Sequence, residues 1–378
     1  MSAPASARPL RVLVNAINDN AEPRGPDRYL EALLLRFAAM PEGPEIVLAH
    51  APWQRLFARL EGLPRLTRRV IAAPRRPAPR LLWQAAVFPA LATRLSPDVV
   101  FLPNMLWTPG LRRPCVVTAH DLLHFRTPEK FGALKARLLR PVIRAALRRA
   151  DAVIAVSAFT ANDARRFAAV PAARLHVIPE GGPAPRERRR PLGEPFLLFV
   201  GKIERSKNAD GLARAFLRSE ALRAANVRLV IAGPDGNGAA DLAPLLAEAG
   251  PRIERVGFVD EAALERLYLT CRAFAFPSVA EGFGLVLLEA MAHGAPVVAA
   301  AATSLPEVAG DAALLVPPGD EAALADALEA VALDDALALD LAARGRARLS
   351  AFCWDRAAAQ TLAVLRGAAL GARSEPSP

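Results

Sequence analysis

The sequence predicts two doubly wound α/β domains in series with a cleft between them, and three observations carry that prediction. Its 378 residues are long for one domain and enough for two separate cores. Short apolar runs alternate with helix-length segments throughout, the pattern of parallel strands joined by crossover helices. Near the middle, PEGGPAPRERRRPLGEP, from Pro179 to Pro195, is too dense in Pro, Gly and Arg to hold a regular element, and it marks the linker.

The elements follow in order. In the first half Arg11-Val-Leu-Val, Glu45-Ile-Val-Leu, Asp98-Val-Val-Phe-Leu, Cys115-Val-Val-Thr and Ala152-Val-Ile-Ala-Val read as buried strands. After the linker the series restarts with Phe196-Leu-Leu-Phe-Val, Val227-Arg-Leu-Val-Ile-Ala, Ile253-Glu-Arg-Val, Ala273-Phe-Ala-Phe, Val297-Val-Ala-Ala and Ala313-Leu-Leu-Val. The expected domains are 1–185 and 186–355, followed at 356–378 by a C-terminal helix returning toward the first domain and a disordered tail, GARSEPSP. Ligands of such sheets sit at the carboxyl ends of the strands, so the loops after strands are where chemistry belongs.

Charge is unevenly divided. Up to Arg190 there are 31 Lys+Arg against 14 Asp+Glu, net +17, and from Pro191 onward 17 against 24, net −7. The first half is therefore the part suited to an anionic partner, unless the excess is only a bias toward Arg. Aromatic residues amount to 6%, and no basic patch is interleaved with them, which leaves nucleic-acid binding without support. Cys115, Cys271 and Cys353 are odd in number and lack zinc spacing, so they read as buried thiols of a reducing compartment. The N-terminal apolar run is too short for a signal sequence, and no stretch is long enough to span a bilayer; the expected location is cytoplasmic.

Two stretches carry the chemistry. In EGFGLVLLE, Glu281 to Glu289, a helix is expected from about Gly284 to His293, ended by Gly294. Gly282 and Gly284 then lie at its N-terminus, where unpaired N–H groups and the helix dipole favour an anion. Glu289 lies inside that helix between leucines and alanine; it is either a solvated outer-face residue or a buried carboxylate awaiting hydroxyl donors such as those of a ribose. His293, at the helix end, reads as a dipole partner. The second stretch is GKIERSKN, Gly201 to Asn208. The chain has 44 Arg and four Lys, and two of those lysines, Lys202 and Lys207, fall here beside Arg205 at the end of a strand. This is a diphosphate clamp or, more simply, a solvated loop capping the next helix.

These segments resemble a known family. FVGKIERSKN, VRLVIAGPDG, VGFVDEAALERLYLTCRAFAFPS, EGFGLVLLEAMAHGAPVVAA and SLPEVAGDAALLVPPGD look like the C-terminal domain of retaining glycosyltransferases of family 4, whose signature is the pair of glutamates spaced E-x7-E. RGPDRYLEALL, TAHDLLHFRTPEKF, ADAVIAVSAFTANDARRF and RLHVIPEG resemble the N-terminal domain of the same family. The resemblance implies the GT-B fold, in which two Rossmann-like doubly wound domains face each other across a cleft, the first binding the acceptor and the second the nucleotide sugar.

By the same resemblance, Glu289 would accept hydrogen bonds from the donor ribose and Glu281 would hold hydroxyls of the donor sugar. The N–H groups of Phe283, Gly284 and Leu285 would meet sugar and diphosphate, with Gly282 in the same donor-binding turn. Lys207 would neutralise the departing diphosphate with Arg205 or Lys202 as its partner, and His120 would lie near the transferred sugar, unless it only pins its loop. Two positions depart from the family pattern. The usual Gly-Gly acceptor loop is Gly25-Pro26-Asp27, which loses an N–H at Pro26, and the usual Asn-Gly before the linker is Glu180-Gly181, a change expected to bear on the hinge alone.

The implied reaction is metal-independent transfer of a sugar, with retention, from a UDP- or GDP-linked donor to a glycan, a lipid-linked acceptor or a small molecule. The nucleoside diphosphate sugar is a substrate, and no cofactor is implied. No Asp-x-Asp motif lies near the cleft, and Asp334-Asp335 read as solvated. The alternative is a catalytically inert sugar-nucleotide-binding subunit of a glycan assembly complex. A basic segment, Leu134 to Arg149, carries an apolar stripe of Leu134, Leu138, Val142 and Leu147. It is either a peripheral contact with an anionic membrane at the inner face or a domain helix with a solvated basic side.

Overall fold

The computed structural model describes residues 8–19, 25–105, 108–187 and 194–374. Its contacts divide the chain into two units. One gathers the described residues up to Leu122, Arg137–Glu180 and those from Trp354 onward; the other holds Leu123–Ala136 and Gly181–Cys353.

The first unit is built on a seven-stranded sheet among the described residues: β1 (Arg11–Asn15), β2 (Glu45–His50), β3 (Leu66–Val70), β4 (Val99–Leu102), β5 (Cys115–Ala119), β6 (Ala152–Ala155) and β7 (Leu175–Val177). The order is β3-β2-β1-β4-β5-β6-β7, with every pairing parallel. Among the described residues the second unit has a six-stranded parallel sheet of β8 (Glu194–Val200), β9 (Arg228–Ala232), β10 (Ile253–Gly257), β11 (Cys271–Phe276), β12 (Val297–Ala300) and β13 (Ala313–Val316). Its order is β10-β9-β8-β11-β12-β13. Each sheet reverses direction of growth once, between β1 and β4 and between β8 and β11, and a crevice at the strand ends follows from that reversal.

Interior strands are buried on both faces and largely apolar, because helices cover both sides. Val99–Leu102, Ala152–Ala155, Cys271–Phe276 and Val297–Ala300 are buried at every position. β3 and β7 are the two strands the apolar runs do not predict. Both are edge strands, and β3, LTRRV, is largely exposed, so neither needs the hydrophobic pattern that marks an interior strand.

Other expectations are corrected by the fold. The predicted disordered tail begins too early, since Gly371–Ser374 finish the helix Trp354–Ser374; Glu375 to Pro378 lie outside the described residues. That helix is held in the first unit, where Arg36 pairs with Asp355 at 3.6 Å and Arg366 Nη2 donates to the Glu42 carbonyl at 3.0 Å. Residues 188–193 of the expected linker also lie outside the described residues. Of the three thiols only Cys271 is buried; Cys115 is half-buried and Cys353 exposed. Asp334 and Asp335 are exposed, as expected, with Asp334 capping the helix that begins at Asp335 and Asp335 pairing with Arg272 at 2.7 Å.

Candidate active site

In the second unit the reversal of strand order sets the loops after β8 and β11 side by side. The loop after β8 contains Lys202, Arg205 and Lys207, and the loop after β11 runs from Pro277 into the helix Leu285–Ala292. Backbone and side chain tie them together: Val279 N–H donates to the Ser206 carbonyl at 2.9 Å, and the Ser278 hydroxyl shares its proton between that carbonyl, at 3.0 Å, and Glu281 Oε1, at 2.7 Å. Lys207 reaches across the junction. Its ammonium donates to Glu281 Oε1 and lies 5.0 Å from the centre of the Phe276 ring. The two side chains are 18% and 14% exposed, so this ion pair is largely withdrawn from solvent screening.

The turn that aims Glu281 is itself braced. Its N–H donates to Thr303 Oγ1 at 3.0 Å, and the Ser304 hydroxyl lies 3.1 Å from the Glu281 carbonyl and 2.8 Å from that of Phe283. Gly284 caps the helix at φ +114°, a left-handed conformation open to glycine at little cost, and an added Cβ would stand 2.8 Å from Leu305 Cδ2. Gly282 and Phe283 are buried and Leu285 half-buried, and the Ser304 hydroxyl ties the Glu281 and Phe283 carbonyls just ahead of the helix Leu285–Ala292.

Glu289 is half-buried rather than fully interior, and one of its oxygens already has a donor in the hydroxyl of Tyr268 at 3.1 Å. The buried Tyr268 ring stacks on His293 with ring centres 5.3 Å apart, and His293 Nδ1 donates to the Glu289 carbonyl at 2.7 Å. His293 thus closes the helix end, as its position predicts. Neither of the other cations joins Lys207. Arg205 is 69% exposed and bound to Asp241 at 2.7 Å, a pairing that raises the guanidinium above its ordinary range and lowers the Asp241 carboxyl; Lys202 lies 3.8 Å from Glu204.

In the first unit His120 directly follows β5. Its Nδ1 lies 3.1 Å from Glu180 Oε1 and its Nε2 3.1 Å from the Pro103 carbonyl oxygen. The Tyr29 ring stands edge-on to it, 4.8 Å between centres. Glu180 therefore does more than the expected hinge duty: it is buried and bound to the histidine. Gly25 opens the helix Gly25–Ala39 at the surface, and Asp27 two residues on is buried and accepts from Asn18 Nδ2 at 2.7 Å. In the basic helix Ala133–Arg149 the apolar stripe divides: Leu134 and Leu138 are exposed, while Leu147 belongs to the core.

Sequence reasoning did not single out Tyr268, Tyr29, Ser278, Thr303, Ser304 or Glu180 as members of these clusters. A signal existed for two of them, because the chain has only two tyrosines and each packs against a histidine.

Residues 184–348 match the profile of the glycosyl transferases group 1, and residues 23–181 that of glycosyltransferase family 4. O-antigen chain mannosyltransferase B of Escherichia coli is 31% identical over 289 residues, covering 72% of this chain and 75% of the relative. The chain belongs to the group 1, family 4 glycosyltransferases. D-inositol 3-phosphate glycosyltransferase of Nocardia farcinica is 34% identical over 290 residues, covering 69% of this chain and 62% of that one. Among solved structures, sucrose-phosphate synthase of Thermosynechococcus elongatus superposes with a TM-score of 0.75 at 23% identity, over 97% of this chain and 100% of that one. HepE of Anabaena, in complex with UDP and glucose, gives 0.72 at 20% identity, over 95% and 100%. The fold of this glycosyltransferase is GT-B. No described helix is long and apolar enough to cross a membrane.

Proposed function

We propose that this glycosyltransferase moves a sugar, with retention and without a metal ion, from a UDP- or GDP-linked donor to a glycan, lipid-linked or small-molecule acceptor. The observation that carries this reading is the pair Lys207–Glu281 beside the N-terminal turn of the helix Leu285–Ala292. The pair stores a cation and a hydroxyl acceptor at one place. When a nucleoside diphosphate sugar enters, its diphosphate takes the ammonium of Lys207 and the N–H groups of Phe283, Gly284 and Leu285, and its sugar hydroxyls donate to the freed Glu281. Glu289, with Tyr268 on one side, accepts from the ribose. Cation and helix terminus then stabilise charge as it grows on the leaving diphosphate, which removes the need for two opposed carboxylates. Arg205 and Lys202 remain the proposed second cation, Arg205 only if it leaves Asp241. His120 remains the proposed contact of the transferred sugar and Gly25 that of the acceptor loop.

The two exposed leucines of the basic helix, Leu134 at 73% and Leu138 at 64%, support a peripheral contact with an anionic membrane. Flotation with anionic vesicles tests it: binding lost at high salt is expected, and none at low salt removes the contact.

Release of nucleoside diphosphate from a panel of nucleotide sugars, in the presence of EDTA, tests the reaction. Turnover with a product of unchanged anomeric configuration, reduced about a hundredfold or more by Glu281→Ala, is expected. Turnover that needs a divalent ion, or that inverts the anomer, contradicts the mechanism. Donor binding without turnover across acceptors points instead to an inert binding subunit.

A further inference from the structure

The cations of the loop after β8 already face carboxylates. Lys207 is paired with Glu281, Arg205 with Asp241 at 2.7 Å, and Lys202 lies 3.8 Å from Glu204, a member of the same loop. Three positive side chains thus meet three negative ones, and together they offer an incoming diphosphate no net charge. Backbone contacts fix the place of Glu204. It precedes the turn Arg205–Lys207, accepts the Lys207 N–H on its carbonyl at 2.8 Å and donates its own N–H to the Lys202 carbonyl at 2.7 Å. The residues after β9 brace the loop from the other side: Ile203 N–H donates to the Pro234 carbonyl at 3.0 Å and Gly238 N–H to the Ile203 carbonyl at 2.9 Å.

A fourth cation meets this carboxylate. The ammonium of Lys130 lies 3.2 Å from Glu204 Oε2, while Lys202 approaches Oε1. Lys130 belongs to Leu123–Ala136, a stretch from the first half of the sequence that packs in the second unit. It stands in the turn Pro128–Phe131, where its N–H donates to the Thr127 carbonyl at 3.1 Å and Phe131 stacks on His124, 3.8 Å between ring centres. The side chains of Lys130 and Glu204 are 17% and 23% exposed, so solvent screens their attraction only in part. Three of the chain's four lysines, Lys130, Lys202 and Lys207, therefore gather at one loop, where a compact ammonium can serve a single carboxylate oxygen.

We infer that Lys130 is a positioning residue of the donor site: it offsets the charge of Glu204, so that the loop after β8 keeps a net positive charge for the diphosphate. The inference rests on the proposed binding of a nucleoside diphosphate sugar at Lys207 and Glu281. Without Lys130, the Glu204 carboxylate would draw Lys202 to itself and repel the diphosphate.

Calorimetric titration of the full chain with UDP and with GDP tests it. Lys130→Met, which keeps the apolar stem, is expected to weaken the nucleotide that binds by about fivefold, the upper scale of a partly exposed ion pair. Lys130→Arg, which keeps the charge, is expected to stay within about twofold of the wild type. Glu204→Gln separates charge from anchoring. It is expected to bind at least as tightly as the wild type and, added to Lys130→Met, to bring affinity back to within about twofold of it. An ion pair that merely anchored the turn would make Glu204→Gln as weak as Lys130→Met; that result, or an unchanged Lys130→Met, overturns the inference. The comparison of Glu204→Gln with the wild type holds even where Lys130→Met fails to fold. A wild type that binds neither nucleotide removes the proposed donor site and this role with it. A wild type that binds, matched by Lys130→Met, removes Lys130 alone and leaves the donor site standing.

Discussion

Lys207 and Glu281 compensate each other while the site waits for its substrate, so removing either leaves an unpaired charge as well as a missing contact. Lys207→Ala should lower kcat by about 100-fold or more, the scale of losing one strong electrostatic contact to a leaving group, with a smaller change in KM; steady-state kinetics with the accepted donor reads it. Tyr268→Phe is the gentler case. It deletes one hydroxyl donor to Glu289 and should weaken donor binding several-fold, about 1 kcal/mol, as measured by calorimetric titration. Residue identities at the centre of this site were visible in the sequence through scarcity and contrast: a glutamate among leucines, two of only four lysines in one loop. What was not visible is partnership. Nothing in VGFVDEAALERLYLT tells which turn its tyrosine faces, and Glu180 is 60 positions from His120. Such contacts exist only once parallel strands bring distant loops to one edge.

The elements show where backbone constraint sits. Gly284→Ala meets Leu305 at 2.8 Å in a conformation L-residues avoid, and it should cost roughly 1–3 kcal/mol and shift the turn that holds Glu281. Gly233 is more severe. It has φ +129°, and a Cβ there would fall 2.1 Å from the backbone oxygen of Gly201, where the ends of β8 and β9 converge. Gly233→Ala should destabilise by about 3 kcal/mol or more, beyond a typical surface change; urea unfolding of both variants gives the comparison. Interior strands were legible because burial on both faces writes a continuous apolar run. β3 was not, since Arg68 and Arg69 occupy a sheet edge where one face is open to water. The helix Leu285–Ala292 agreed with expectation to within a residue at each end, because Gly284 and Gly294 are the conformations that start and stop it.

At the scale of the whole molecule, alkaline pH exposes a stability term. Burial, then the charge of Asp151, pushes the Cys115 thiol from 9.0 up to about 11, and Tyr29 is also raised. A raised folded value means the neutral form is favoured by folding. The contribution of Cys115 is therefore complete below about pH 9 and disappears as pH climbs toward 11. Urea midpoints should fall between pH 8 and 10.5, and maleimide should modify the exposed Cys353 well before Cys115. The division into two α/β units followed from length, rhythm and the central Pro-Gly-Arg stretch, whereas the charge excess of the first half has a structural counterpart at the basic helix Ala133–Arg149 with its exposed Leu134 and Leu138. Nucleotide-sugar binding by the second unit is the central claim. Thermal unfolding of the full chain against UDP- and GDP-sugars tests it most directly. A true donor at about 100 times its Kd should stabilise the wild type by ~2.7 kcal/mol and stabilise Lys207→Ala and Glu289→Ala by clearly less. Equal shifts in wild type and variants, or none with any nucleotide sugar, would contradict it.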